Sequence, residues 1–187
     1  MLEDQVLIWK FKRGSSAALC RIYGKYRNDL LRLATMLLNN VSDAEDIVHD
    51  VFLAFAQSGK TLKRSGNLRS YLLTCVANRA RNGNRAHQRR HTVGLDEAEL
   101  VVADTNRPDQ WLICSEELQR WSEILARLPF EQREVVVLHL RAGMKFRQIA
   151  KVQGLSVNTI KGRYRYGLDR LRSMLNGEVE KCDRQRI

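Results

Sequence analysis

The chain has 187 residues, a formal net charge of +11 and an apolar share of 44%. That share supports a packed core and excludes a wholly disordered chain. The charge points to a polyanionic partner, nucleic acid or an anionic surface. No apolar run approaches the roughly 20 residues of a membrane span. The opening Met1-Leu2-Glu3-Asp4 lacks a secretory leader's basic start and apolar core, so a cytoplasmic protein with no membrane insertion is expected. Only two prolines occur, Pro108 and Pro129, and helical periods dominate, which makes the class all-α. Cys20, Cys75, Cys114 and Cys182 are far apart and form no Cys-x-x-Cys pair. Reduced, mostly buried thiols are expected rather than a disulfide frame or a zinc site.

A short helix is predicted around Gln5–Lys12, ending near Gly14, with Ser15 or Ser16 starting the next. Leu19, Ile22, Tyr23, Tyr26, Leu30, Leu33, Ala34 and Leu37 then recur at three- and four-residue steps, the pattern of a bundle wall that stops at Asn39-Asn40. Ser42 to Glu45 reads as a capping box opening a helix that runs to about Gln57. Ala44, Ile47, Val48, Val51, Phe52 and Phe55 should face inward, leaving Asp43, Asp46, His49 and Asp50 outside as an acidic stripe. A polar loop from Ser58 to Leu68 leads into a helix ending near Arg85.

Between Gln57 and Leu95 there is no acid, against nine cations, with Tyr71, Asn78, Asn82, Asn84, His87 and Gln88 interleaved. Phosphate neutralisation, a stacking plane and amide partners for base edges are what an unpaired strand needs. The sign then reverses: Val93 to Glu117 holds seven acids and Arg107 alone as a cation. That stretch, with Pro108, reads as a flexible acidic linker over residues 91–110. It divides the chain into helical domains at 1–90 and 111–176, followed by a charged tail at 177–187 that is expected to fray.

In the second domain, Leu118, Trp121, Ile124, Leu125 and Leu128 make a helix ended by Pro129. Glu131 to Leu140 makes another, with Val135, Val136, Leu138 and Leu140 packing and Gly143 closing it. Ile149, Ala150 and Val152 then give a short helix its apolar face, Gly154 ends it, and Ser156 caps a long basic helix. Ile160, Tyr164, Leu168, Leu171 and Leu175 line the buried face of that helix, while Asn158, Lys161, Arg165 and Arg172 share the opposite one, with Arg163 near it. A helix–turn–helix with polar tips and cations behind them suits a DNA major groove.

Two separated blocks carry a family resemblance. Asp43-Ala44-Glu45-Asp46-Ile47-Val48-His49-Asp50-Val51-Phe52, Leu68-Arg69-Ser70-Tyr71-Leu72 and Ala77-Asn78-Arg79-Ala80-Arg81 resemble the second conserved region of bacterial sigma factors. Leu128-Pro129 through Arg172 resembles the fourth. Holding only these two regions is similar to the extracytoplasmic-function (ECF) group of the sigma-70 family. The resemblance implies two small helical domains on a flexible linker, and a promoter-specificity subunit with no catalytic role and no cofactor or metal.

Its implied partners are core RNA polymerase and promoter DNA, duplex and single-stranded; many relatives are also held by an anti-sigma factor. By the same resemblance, Asp43, Glu45, Asp46, His49 and Asp50 would dock on the clamp of the large polymerase subunit. Lys63, Arg64, Arg69, Tyr71, Asn78, Arg79, Arg81, Asn82 and Arg85 would recognise and melt the −10 element. Ser156, Val157, Asn158, Thr159, Lys161, Arg163, Arg165 and Tyr166 would read the −35 element. The chain departs from the common pattern at His49 (usually Gln), Tyr71 (usually Trp), Asn82 (usually Asp), Asn158, Gly162 and Tyr166, so no promoter sequence carries over.

Two other readings compete. The same helix–turn–helix could serve a stand-alone DNA-binding regulator. Alternatively Asp46, His49 and Asp50, at i, i+3 and i+4, could hold a metal for a nucleic-acid enzyme. Against the metal, these acids belong to a continuous exposed stripe, and no second ligand cluster is evident. His87 and His91 share that spacing, but Arg89 and Arg90 between them would repel a cation.

Overall fold

The computed structural model describes residues 2–58, 67–92 and 116–184. All regular structure in these residues is helical. In chain order the elements are α1 (Leu2–Lys12), α2 (Ser16–Leu38), α3 (Val41–Ser58), α4 (Leu68–Thr92), α5 (Glu116–Ala126), α6 (Phe130–Leu140), α7 (Phe146–Gln153) and α8 (Val157–Arg184). Most of the linker, with Trp111 and Cys114, lies outside the described residues, as do Lys63 and Arg64.

The ends are set by side chains and by backbone sign. Ser15 caps α2 by accepting from the Ala18 N–H at 3.3 Å, and Asn39 closes it in the left-handed region at φ 57°. The expected capping box at Ser42 is displaced by two residues: Asn40 Oδ1 accepts from the Asp43 N–H at 3.2 Å, so α3 begins at Val41. An asparagine one turn before the first acid offers an amide oxygen that accepts as a serine hydroxyl would. Past Asn176, α8 continues as helix to Arg184, where fraying was expected.

Helix α2 is the organising element. It packs against α1, α3 and α4, and also against α5 and α6 of the second module. Leu30, Leu31, Leu33, Ala34, Thr35 and Leu37 are all buried, which is more than one face of a helix. A helix buried nearly all round is covered on two sides. One continuous apolar core therefore joins Ile22, Leu30, Phe55 and Leu72 to Ile124, Leu128, Val135, Ile149 and Ile160. The two domains expected on a tether are docked against each other.

Polar groups seal the junction. Ser122 Oγ lies 3.1 Å from the Thr35 carbonyl and 2.7 Å from Asn39 Oδ1. Arg133 Nη1 donates to the Leu37 carbonyl at 2.8 Å, and Nη2 to those of Ala126 and Leu128, both at 3.3 Å. One guanidinium thus satisfies carbonyls at the C-terminal ends of α2 and α5, where the helix dipole favours a cation. Arg69 Nη1 reaches the Ala142 carbonyl at 3.3 Å.

Several apolar expectations shift. Leu140 is 61% exposed and Trp121 43% exposed, while Val137 and Glu134 are buried. Helix α6 turns Glu134, Val135 and Leu138 inward, which leaves Leu140 on the outer arc. Leu175 is also exposed, beyond the point where α6 covers α8. Cys20 is exposed and Cys75 half-buried, both as free thiols, and burial pushes the Cys75 thiol up.

Helices α6 and α8 approach closely at Gly167. An alanine Cβ there would stand 2.9 Å from Val136 Cγ2, a buried side chain with no free end to swing away. At Gly24, on the exposed side of α2, nothing lies within 4 Å of such a Cβ. Gly24→Ala should therefore stabilise the protein by about 1 kcal/mol through helix propensity. Gly167→Ala should destabilise it, because overpacking of about 1–3 kcal/mol outweighs the same gain. Urea unfolding of the two variants, moving the midpoint in opposite directions, checks this.

Candidate nucleic-acid interface

Helices α7 and α8 form the helix–turn–helix. Gly154 ends α7 in the left-handed region at φ 67°, and Leu155 N–H returns to the Ala150 carbonyl at 3.0 Å. Ser156 Oγ accepts from the Thr159 N–H at 3.0 Å and lies 2.9 Å from Thr159 Oγ1. The turn is braced from beneath by three rings: His139 stacks on Phe146 at 4.2 Å, and Tyr164 meets them edge-on at 4.9 and 5.2 Å. His139 Nδ1 lies 2.8 Å from the Met144 carbonyl, which can only accept, so Nδ1 carries a proton.

The outer face of α8 is well defined. Asn158, Lys161, Gly162 and Arg165 line one open hollow. At about 100° per residue, Asn158, Lys161, Arg165 and Arg172 fall within an arc of roughly 60°. Ser156 and Thr159 are exposed at the start of this face and Val157 is half-buried. Tyr166 is exposed, with the Arg165 guanidinium 5.2 Å from its ring centre. Arg163 lies elsewhere: it points back beneath the turn, and its Nη1 donates to Gln153 Oε1 at 3.2 Å.

A second face runs along α4. Tyr71, Asn78, Asn82 and Arg85 are exposed, and at helical spacing they share an arc of about 60°. The Tyr71 ring is backed by Phe55 at 6.5 Å. Three other described arginines of α4, Arg69, Arg79 and Arg81, are tied to protein. Arg79 donates to Asp50 Oδ2 at 2.8 Å. Arg69, on the far side of the helix, pairs with Asp29 of α2 at 2.9 Å. Arg81 leaves α4 on the side facing the second module. There its Nε donates to Glu134 Oε2 at 3.2 Å and its Nη2 pairs with the other carboxylate oxygen.

The acidic face of α3 is the third surface. Asp43, Asp46, His49 and Asp50 are exposed; Glu45 is half-buried and reaches Arg27 at 3.7 Å. Asp50 is engaged by Arg79. Among the described residues no group of three or more His, Cys, Asp or Glu could hold a metal ion, and no helix is long and apolar enough to cross a membrane.

A sigma-70 region 2 model matches residues 22–90, and a sigma-70 region 4 model matches residues 118–171. The chain belongs to the sigma-70 family, in its ECF group. This sigma factor is 28% identical over 169 residues to a probable RNA polymerase sigma factor, RfaY, of Xanthomonas campestris pv. campestris. The match covers 89% of the chain but 41% of that longer relative. It is 26% identical over 185 residues to the sigma factor CnrH of Cupriavidus metallidurans, covering 95% of the chain and 97% of the relative. In fold it is similar to the sigma factor RpoE solved with the anti-sigma factor NepR from Bartonella quintana. There the TM-score is 0.63 at 24% identity, over 83% of this chain and 97% of that one.

Sequence reasoning missed the residue at the centre of the sigma factor's junction. Glu134 is 2% exposed, and burial pushes its carboxyl up while Arg81, and more distantly Arg163, pull it down. Gln153 acts in the same direction, but its buried Nε2 has no partner in good hydrogen-bond geometry, so that pull is weak. The signal was present in the sequence. Glu134 stands one turn after Phe130 and one turn before Leu138, on a face that is otherwise apolar, where an unpaired acid would be costly.

Proposed function

We propose that this sigma factor binds core RNA polymerase and directs it to promoters. The α8 face Asn158–Lys161–Arg165 reads the duplex at the −35 element, and the α4 stripe Tyr71–Asn78–Asn82–Arg85 holds unpaired bases at the −10 element. The observation that carries the reading is this pair of exposed faces on one chain. One combines amides and cations on a helix–turn–helix. The other adds an aromatic ring to amides on a separate helix. Duplex reading and base capture need those different chemistries. Lys63 and Arg64 would join the second face, and Ser156 and Thr159 the first. The role is one of binding and remodelling, without chemistry of its own.

The acidic face of α3 is the proposed contact for the polymerase clamp, with Asp46 at its centre. Asp46→Ala should weaken binding to core polymerase by about tenfold, the scale of an interface anchor, and leave duplex affinity of the free chain unchanged. Equal loss of both would show a folding defect; unchanged polymerase affinity would remove α3 from the interface. An anti-sigma factor is a further proposed partner, since a relative of the same fold was solved with one.

Run-off transcription with purified core polymerase on a promoter library tests the whole reading: discrete start sites should appear only with the chain present. If the chain alone footprints those promoters as well as the reconstituted complex, the stand-alone regulator replaces the sigma factor.

A further inference from the structure

The residues assigned to nucleic acid are not all free to meet it. Arg81 belongs to the cation-rich stretch of α4, yet its side chain is 14% exposed and spans both modules. Besides Glu134, its Nη1 meets Asn78 Oδ1 at 3.1 Å and the Val152 carbonyl at 3.3 Å. Asn78 is itself on the α4 stripe, and Val152 is on α7. Arg163, at the start of the recognition helix, is turned inward to Gln153 and acts on the same carboxylate. A single buried acid on α6 therefore ties down Arg81 of α4, while Arg163 of α8 is held by Gln153 of α7.

The geometry of the chain sharpens the conflict. Two modules reading separate stretches of one duplex must stand apart. A 20-residue linker reaches about 65 Å when stretched, which permits it. The docked arrangement, with α2 buried on both sides, does not.

We infer that Glu134 is an internal surrogate for DNA phosphate: it holds Arg81 in the free chain, keeps the two modules closed, and competes with promoter DNA for that cation. This rests on reading the α4 and α8 faces as DNA-binding. Carboxylate and phosphate both accept the planar fork of a guanidinium, so one can replace the other. Together the two charges compensate each other, and the large cost falls on removing either one. Deprived of its acid, Arg81 would be a charge left in the core, and separation of the modules is what relieves it. A chain whose competent open form is rare binds DNA more weakly by that fraction.

Small-angle scattering of the full chain and its affinity for a promoter duplex, both without polymerase, provide the test. Glu134→Gln keeps the size and removes the charge. It should enlarge the particle's maximum dimension and raise duplex affinity by about tenfold or more. Arg81→Glu should also open the chain, and Arg81→Glu combined with Glu134→Arg should close it again, a rescue that a general packing defect would not give. Should Glu134→Gln lose helix content, Arg81→Gln, which leaves the acid buried without its cation, carries the expectation of an enlarged particle. A Glu134→Gln chain that scatters as the parent does and binds duplex no more tightly overturns the latch. A chain that opens but starts no transcription with core polymerase keeps the latch and sinks the promoter reading instead.

Discussion

Truncating Phe55 to alanine should lower the free energy of unfolding by about 3–5 kcal/mol. Phe55 is 1% exposed, stacks on Phe11 of α1 at 5.2 Å and meets Tyr71 of α4 at 6.5 Å. Its ring is thus the joint at which three helices touch. Removing it leaves a cavity that stiff neighbours on α1 and α4 cannot close. Against a typical stability of about 5–15 kcal/mol, that is a large fraction. Phe55→Leu should cost clearly less, because it refills part of the volume. The loss has a functional side, because the Phe55 ring backs that of Tyr71. Affinity for an unpaired strand should therefore fall in Phe55→Ala even at temperatures where the chain stays folded. Urea denaturation gives the first effect and strand binding the second. A stability loss below about 1 kcal/mol would mean the ring is not a shared joint.

Replacing Asn158, Lys161 and Arg165 together with alanine should weaken duplex binding by about two orders of magnitude or more, and lower its salt slope by about two units. The slope follows from the cations, since each phosphate neutralised contributes about 0.9 units on duplex DNA. Asn158 contributes through base edges, where a good bidentate contact discriminates by about 1–3 kcal/mol. Restoring Asn158 alone should therefore recover sequence preference without recovering the slope. The fold should be untouched, because Asn158, Lys161 and Arg165 are exposed and line an open hollow rather than the core. Fluorescence anisotropy on one duplex across a salt series separates the effects. A triple variant with the parent's slope would move the duplex contact off this face.

Much of the architecture could be read from periodicity. The inward set on α3, the left-handed Gly154 and the Ser156 cap all stand where spacing places them, because each depends on contacts within a turn or two of chain. The α4 and α8 faces were legible for the same reason. Position on a single helix follows from 3.6 residues per turn, so Tyr71, Asn78, Asn82 and Arg85 had to align. Charge alone did not say which cations are engaged within the protein. Arg69, Arg79, Arg81 and Arg163 are cations in the right stretches, yet each has an intramolecular partner. No count of charges distinguishes a cation facing water from one facing a carboxylate on another helix.

By itself, the sequence determined an all-α chain of two modules, the order of its helices, and which arc of α3, α4 and α8 is polar, since local spacing and capping decide those. Only the tertiary structure decided that α2 is covered on both sides, that Leu140 and Trp121 turn outward, and that Glu134 sits buried between Arg81 and Gln153. The physical reason is distance along the chain. Glu134 lies 53 residues from Arg81; an acid on the apolar face of α6 marks a need for a partner, but the periodicity of neither helix says which residue so remote supplies it.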